Sequence, residues 1–153
     1  MYNHIQSKHE ILHDICFAIA DMYTGKMEEL MASSESPLVK IKRLIHLHVE
    51  TNLMEIPLAR VTNDEWIHMN DEDRMRYARM KRTYEDNFID LINEGIELGQ
   101  IKTLDATVTF FTLLSMIRWT QNWQGTDHEM SANSIKENVT KMVFDSFVEP
   151  DLL

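Results

Sequence analysis

Four glycines and three prolines in 153 residues leave this chain few places to turn. Strand-rich folds need many tight turns and long helices need few, so the scarcity points to an all-α fold. The length suits one domain with a sizeable core. Hydrophobic residues at 44% and charged residues at 26% are those of an ordinary folded protein rather than a disordered one. Eleven methionines add helix formers that fill irregular gaps, in a Met-rich core or in the wall of a plastic pocket.

Periodicity resolves the chain into five or six helices, with no internal repeat, low-complexity segment or linker. Ser7-Lys8-His9-Glu10 has the S-x-x-E form of a capping box. Behind it Ile11, Ile15, Ile19 and Tyr23 fall on one face with Leu12 and Cys16 beside them. Gly25 weakens this helix, and Met27 and Leu30 extend it. Residues 32–37 form the clearest loop, and Pro37 suits the first turn of a second helix carrying Leu38, Ile41, Leu44, Ile45 and Val49. That helix is expected to stop before Pro57, with a short helix or turn over residues 54–62 and an ill-defined stretch over 63–69 anchored by Trp66. Asn70 or Asp71 starts a long helix whose stripe is Tyr77, Met80, Tyr84, Phe88, Leu91, Ile92 and Gly95, with Gly99 as its stop. A helix from Asp105 to about Asn122 is apolar all round, which demands cover on every side. The last helix, from Ser131 or Asn133, has a face of Ile135, Val139, Met142 and Val143 broadened by Phe144 and Phe147. Two adjacent over-apolar helices point to a four-helix-bundle homodimer interface, with Phe111, Ile117, Trp123, Ile135, Val139, Met142, Val143 and Phe147 as candidates.

The net charge of −10 makes the chain as a whole a poor partner for nucleic acid. Arg74, Arg76, Arg79, Lys81 and Arg82 spread around a helix rather than line one face, with Glu72–Arg76 and Lys81–Glu85 as expected pairs. The single cysteine, Cys16, sits among Ile15, Phe17 and Ile19 and fits a buried thiol in a reducing cytoplasm. The opening residues do not read as a signal peptide, and no apolar run approaches the roughly 20 residues of a membrane span. No G-x-S-x-G, P-loop or H-E-x-x-H occurs, so no catalytic residue and no cofactor is assigned. His9 and His13, spaced i, i+4 beside Asp14, read as a surface pair, because two ligands do not close a metal site. His46 and His48 lie on different helix faces and are weaker metal candidates still.

The segment Tyr2-Asn3-His4-Ile5-Gln6-Ser7-Lys8-His9-Glu10-Ile11-Leu12 resembles the Y-x-H-F-x-S-K-E-x-L-L stretch of tetracycline-repressor (TetR) family regulators. Ile5 stands where that family usually has an aromatic, and an added His9 precedes the Glu. Residues 88–101, with Gly95 and Gly99, are similar to the family's l-x-x-G-x-x-x-G-x-f stretch, and Leu104-Asp105 opens the next helix as in the family. Trp119-Thr120-Gln121-Asn122-Trp123, with Gly125 and Ser131 beyond, looks like a branch in which some members respond to acyl-CoA thioesters from lipid or steroid breakdown. The resemblance covers nearly the whole chain.

It implies that residues 1–6 are a remnant of a recognition helix and residues 7–153 a ligand-binding and dimerisation domain. A helix-turn-helix needs its first two helices to hold the reading helix in the groove, so operator DNA is an expected partner only where that head is present. Tyr2, His4 and Lys8 then stand as remnants of DNA contacts. The resemblance also implies a pocket for a small hydrophobic or acyl-CoA-like ligand, with a first helix that passes the ligand's effect to the heads. Leu44, Met54, Trp66, Tyr77, Met80, Tyr84, Phe88, Phe110, Leu114 and Trp119 supply candidate walls, and Tyr77, Tyr84, Arg118 and Gln121 polar groups. Residue by residue the same side chains also serve as plain core. Alternative readings are an all-α dimeric interaction module without ligand, favoured by a solid core, and a metal-responsive regulator using His9 and His13.

Overall fold

The computed structural model describes residues 4–54 and 56–153, with side chains from residue 7 onward. The described residues form six α-helices: α1 (His4–Ala32), α2 (Pro37–Asn52), α3 (Leu58–Glu65), α4 (Asp71–Glu97), α5 (Ala106–Arg118) and α6 (Ala132–Phe147). Short 3-10 segments follow α3 (Trp66–His68), α5 (Trp119–Gly125) and α6 (Pro150–Leu152). The extended pairing among them is one isolated bridge between Ile101 and Val148. None of these helices is long and apolar enough to cross a membrane.

Side chains that accept from orphan N–H groups set most helix starts. Ser36, Asn70, Asp105 and Ser131 accept from the amides of Val39, Asp73, Val108 and Ser134. The acidic run Asp71–Asp73 then lies at the positive end of α4. At the other end of α4, Gly99 adopts φ +73°, which a side chain would resist. Gln100 and Ile101 both donate their amides to the Gly95 carbonyl, so the chain folds back under α4. Ile101 lands where Gly95 has no Cβ.

Three boundaries differ from the sequence reading. Helix α1 runs through Ser7 from His4, so Ser7 and Glu10 do not begin a helix, and Gly25 lies inside it. Its buried side is Cys16, Ile19, Met27 and Leu30, whereas Ile11 faces solvent. Helix α3 starts after Pro57 rather than before it, because proline lacks an amide donor and disfavours helical backbone in the residue ahead of it. Helix α5 stops at Arg118. Beyond it, Thr120 Oγ1 and Asn52 Nδ2 both donate to the Ile117 carbonyl, at 2.6 and 3.4 Å, and the chain tightens into a 3-10 segment.

Packing separates two apolar clusters. The large one gathers Ile41, Leu44, Ile45 and Val49 of α2 with Phe88, Leu91 and Ile92 of α4. Phe110, Leu113 and Ile117 of α5 and Ile135, Val139, Val143 and Phe147 of α6 join it, with Met27 and Leu30 of α1 and Ile101, Ala106 and Val148. The small one joins Cys16 and Phe17 of α1 to Met69 and Tyr77, with Trp66 and Met80 against them. Ion pairing on α4 also differs from expectation. Arg74 pairs with Asp71 and Arg82 with Asp86. Arg76 lies over the Phe17 ring at 4.3 Å and Lys81 over the Trp66 ring at 5.1 Å.

Candidate ligand-binding cleft

A cleft opens between the two clusters. Its smaller lobe, about 130 Å³, is walled by Ile19, Ala20 and Tyr23 of α1, His48 of α2, Tyr77, Met80 and Tyr84 of α4, and Phe110 and Leu114 of α5. The larger lobe, about 340 Å³, shares Tyr23, His48, Asn63, Tyr77 and Leu114 and reaches Asn52, Trp66, Phe111, Ser115 and Arg118. Five helices therefore contribute walls. The lining of the cleft combines apolar wall with polar and charged groups.

Aromatic and polar groups interlock at its centre. His48 Nε2 and the Tyr84 hydroxyl are hydrogen-bonded at 2.7 Å. Tyr23 stacks on the His48 imidazole at 4.6 Å, and Tyr84 meets Tyr23 edge-on at 5.6 Å. Trp66 stacks on Tyr77 at 5.2 Å. The cleft reaches His48, and protein surrounds it otherwise, so burial pushes its pKa down to about 4. Burial likewise raises Tyr23 to about 12 and lifts Tyr77 and Tyr84 well above the ordinary tyrosine value. At neutral pH these four groups are uncharged donors and acceptors. Lys81 and Glu85, one turn apart on α4, line both lobes, and Arg118 lines the larger one. Asn63 donates to Gln121 at 3.0 Å and Asn52 to Thr120 at 3.1 Å, which ties α2 and α3 to the segment after α5.

The structure brings six of the ten candidate wall residues to the cleft: Trp66, Tyr77, Met80, Tyr84, Phe110 and Leu114. Leu44 and Phe88 are fully buried in the large cluster behind it. Met54 and Trp119 are 48% and 44% exposed and line neither lobe. Sequence reasoning missed Tyr23, which it took as face filler, and His48, which it weighed only as a metal ligand. A signal was present for His48: it continues the buried series Ile41, Leu44, Ile45 at helical spacing, so a polar group stands on a core stripe.

Among the dimer candidates, Ile117, Ile135, Val139, Val143 and Phe147 are buried in the protomer's own large cluster. Within the chain, Phe147 of α6 enters the core, and Phe144 lies under Lys42 of α2. Phe111 and Met142 are 52% and 64% exposed, and Trp123 packs partly buried against the large cluster. Of the DNA-contact candidates, Tyr2 and the His4 side chain lie outside the described residues, and Lys8 is exposed on α1. His13 lies near Asp14 and Asp73, at 3.1 and 3.8 Å. No group of three or more His, Cys, Asp or Glu among the described residues is placed to hold a metal ion.

The described residues thus form an all-helical, six-helix body around a cleft. The chain belongs to the tetracyclin repressor-like, C-terminal domain family, whose model matches residues 34–147. Solved structures agree. A transcriptional regulator of the TetR/AcrR family from Thermobifida fusca YX-ER1 is 25% identical with a TM-score of 0.76, over 90% of this chain and 73% of that one. The ketosteroid transcriptional regulator KstR2 of Mycobacterium tuberculosis shares the fold at 15% identity and a TM-score of 0.78, over 93% and 74% of the two chains. AibR, solved with isovaleryl coenzyme A and operator DNA, shares it at 20% identity and 0.75, over 92% and 77%. No curated protein matches the chain by sequence.

Proposed function

We propose that this chain is the ligand-sensing and dimerising body of a transcriptional regulator, and that its ligand is a small hydrophobic or acyl-CoA-like molecule held in the cleft. The observation that carries this reading is the gap between the two apolar clusters, walled by five helices and set with His48, Tyr23, Tyr77 and Tyr84. A solid core would have favoured an interaction module instead. AibR, which shares the fold, binds isovaleryl coenzyme A and operator DNA, and that pairing of ligand with operator supports the same logic here. The ligand acts by favouring one arrangement of α1 against α4 over another, and α1 passes the difference toward its N-terminal end.

A second copy of the chain is the proposed partner on α5. From Ala106 to Ile117 that helix carries no charged residue, yet Val108 and Phe111 are 63% and 52% exposed. An uncharged, half-exposed helix face suits an isologous dimer contact, and Met142 of α6 is a further exposed apolar side chain.

Calorimetric titration of the chain with a panel of acyl-CoA thioesters tests the sensor reading. Saturable binding is expected, and it is lost when Leu114→Trp fills the cleft while the melting transition is kept. A panel with no binder at all sinks the sensor reading. Where a helix-turn-helix head accompanies the body, the same ligand is expected to change operator affinity.

A further inference from the structure

At the centre of the cleft stands an uncharged pair, His48 and Tyr84, in a lining that also carries Lys81, Glu85 and Arg118. His48 and Tyr84 occupy each other through the 2.7 Å hydrogen bond, and Tyr23 holds the imidazole by stacking. Either tautomer leaves one donor over. With Tyr84 O–H donating to Nε2, the ring proton sits on Nδ1; with Nε2–H donating to the Tyr84 oxygen, the phenolic proton is free. Tyr23, Met80, Phe110 and Leu114 around this pair carry no charge. Full charges enter from α4, where Lys81 Nζ lies 5.1 Å from the Trp66 ring centroid with Glu85 one turn on, and from Arg118 in the larger lobe.

Resting on the reading of the cleft as the ligand site, we propose that the ligand presents an uncharged acceptor, the carbonyl of a thioester, ester or ketone, to the His48–Tyr84 pair. The free carboxylic acid of the same skeleton is selected against. A carboxylate seated against the pair loses its hydration and gains only neutral donors from it, and Lys81, the cation lining the same lobe, is exposed, lies over the Trp66 ring and has Glu85 one turn on; a carbonyl satisfies its need with a single hydrogen bond. His48 does not supply a compensating charge, because burial keeps it neutral. An anionic group farther along the ligand fits the larger lobe, which Arg118 lines.

The test is calorimetry at neutral pH with matched probes. These are the butanoyl, hexanoyl and octanoyl thioesters of N-acetylcysteamine and of CoA, set against butanoate, hexanoate and octanoate. The best thioester is expected to bind about tenfold or more tightly than its acid. The double variant His48→Leu with Tyr84→Phe removes both donors and is expected to erase that preference while dependence on chain length persists. The single variants His48→Gln and Tyr84→Phe each retain a donor and keep it. An acid that binds as tightly as its thioester overturns the proposal and leaves the cleft a ligand site. A double variant that keeps the full preference overturns the assignment to this pair. Binding by none of the probes overturns the proposal together with the acyl-ligand reading of the cleft.

Discussion

His48 is where the chemistry of a single side chain most shapes the molecule. Its imidazole is neutral in the folded protein, with burial pushing its pKa down to about 4 from 6.5. The unfolded chain takes up a proton at this residue between those values and the folded chain does not. Its contribution is therefore complete above about pH 6.5 and declines as pH falls toward 4, by on the order of 3 kcal/mol in total. Denaturant melts across this range are expected to show a shallower acid slope for His48→Gln than for the parent; equal slopes would contradict it. Gly95 makes a steric demand of the opposite kind. A methyl group there runs into Ile101 Cδ1 and lies 2.9 Å from its Cγ1. Gly95→Ala is expected to cost about 1–3 kcal/mol by overpacking, and Ile101→Val in the same chain to recover part of it. Both features show what single residues disclose in advance. Gly95 and Gly99 were readable as motif and stop. The role of His48 was not, because Tyr84, its partner, lies 36 residues away. Met54 and Trp119 misled for a related reason: size and polarity make a side chain fit for a pocket, and only packing decides whether it faces one.

At the scale of elements, caps and stripes carried most of the prediction. Asn70 or Asp71 was read as the start of α4 and Asp105 as that of α5, and the Asn70 and Asp105 side-chain oxygens accept from amides three residues on, at 2.9 and 2.8 Å. Asp105→Ala is expected to cost about 1 kcal/mol in a thermal or chemical melt. The failures cluster where the chain's own long-range contacts take over. The α5 pattern continued past Arg118, but Asn52 from α2 reaches across to Ile117 and Thr120 and the helix ends. The width of the apolar face of α6 likewise gave no clue that Lys42 of α2 lies over Phe144. Periodicity states how much surface a helix must bury and leaves open whose surface buries it.

For the whole molecule, the proposed dimer and the cleft share a wall. Phe111, Ser115 and Arg118 line the larger lobe and lie on the exposed side of α5. A second copy docked on α5 would therefore cap the cleft. Val108→Glu, one turn away and outside both lobes, is expected to yield a monomer by light scattering and to weaken ligand binding several-fold. A monomer with unchanged affinity would show that the two surfaces act independently. The walls of the site also come from points scattered between Ile19 and Arg118. The bonds that frame it, His48–Tyr84, Asn63–Gln121 and Asn52–Thr120, close loops of 36, 58 and 68 residues. No locally folded fragment contains it, and each loop must be closed before a ligand finds its partners. A bound molecule thus staples distant stretches of the chain. Binding in the proposed site is expected to slow hydrogen exchange and proteolysis across α1 to α5 together, in place of shielding one segment.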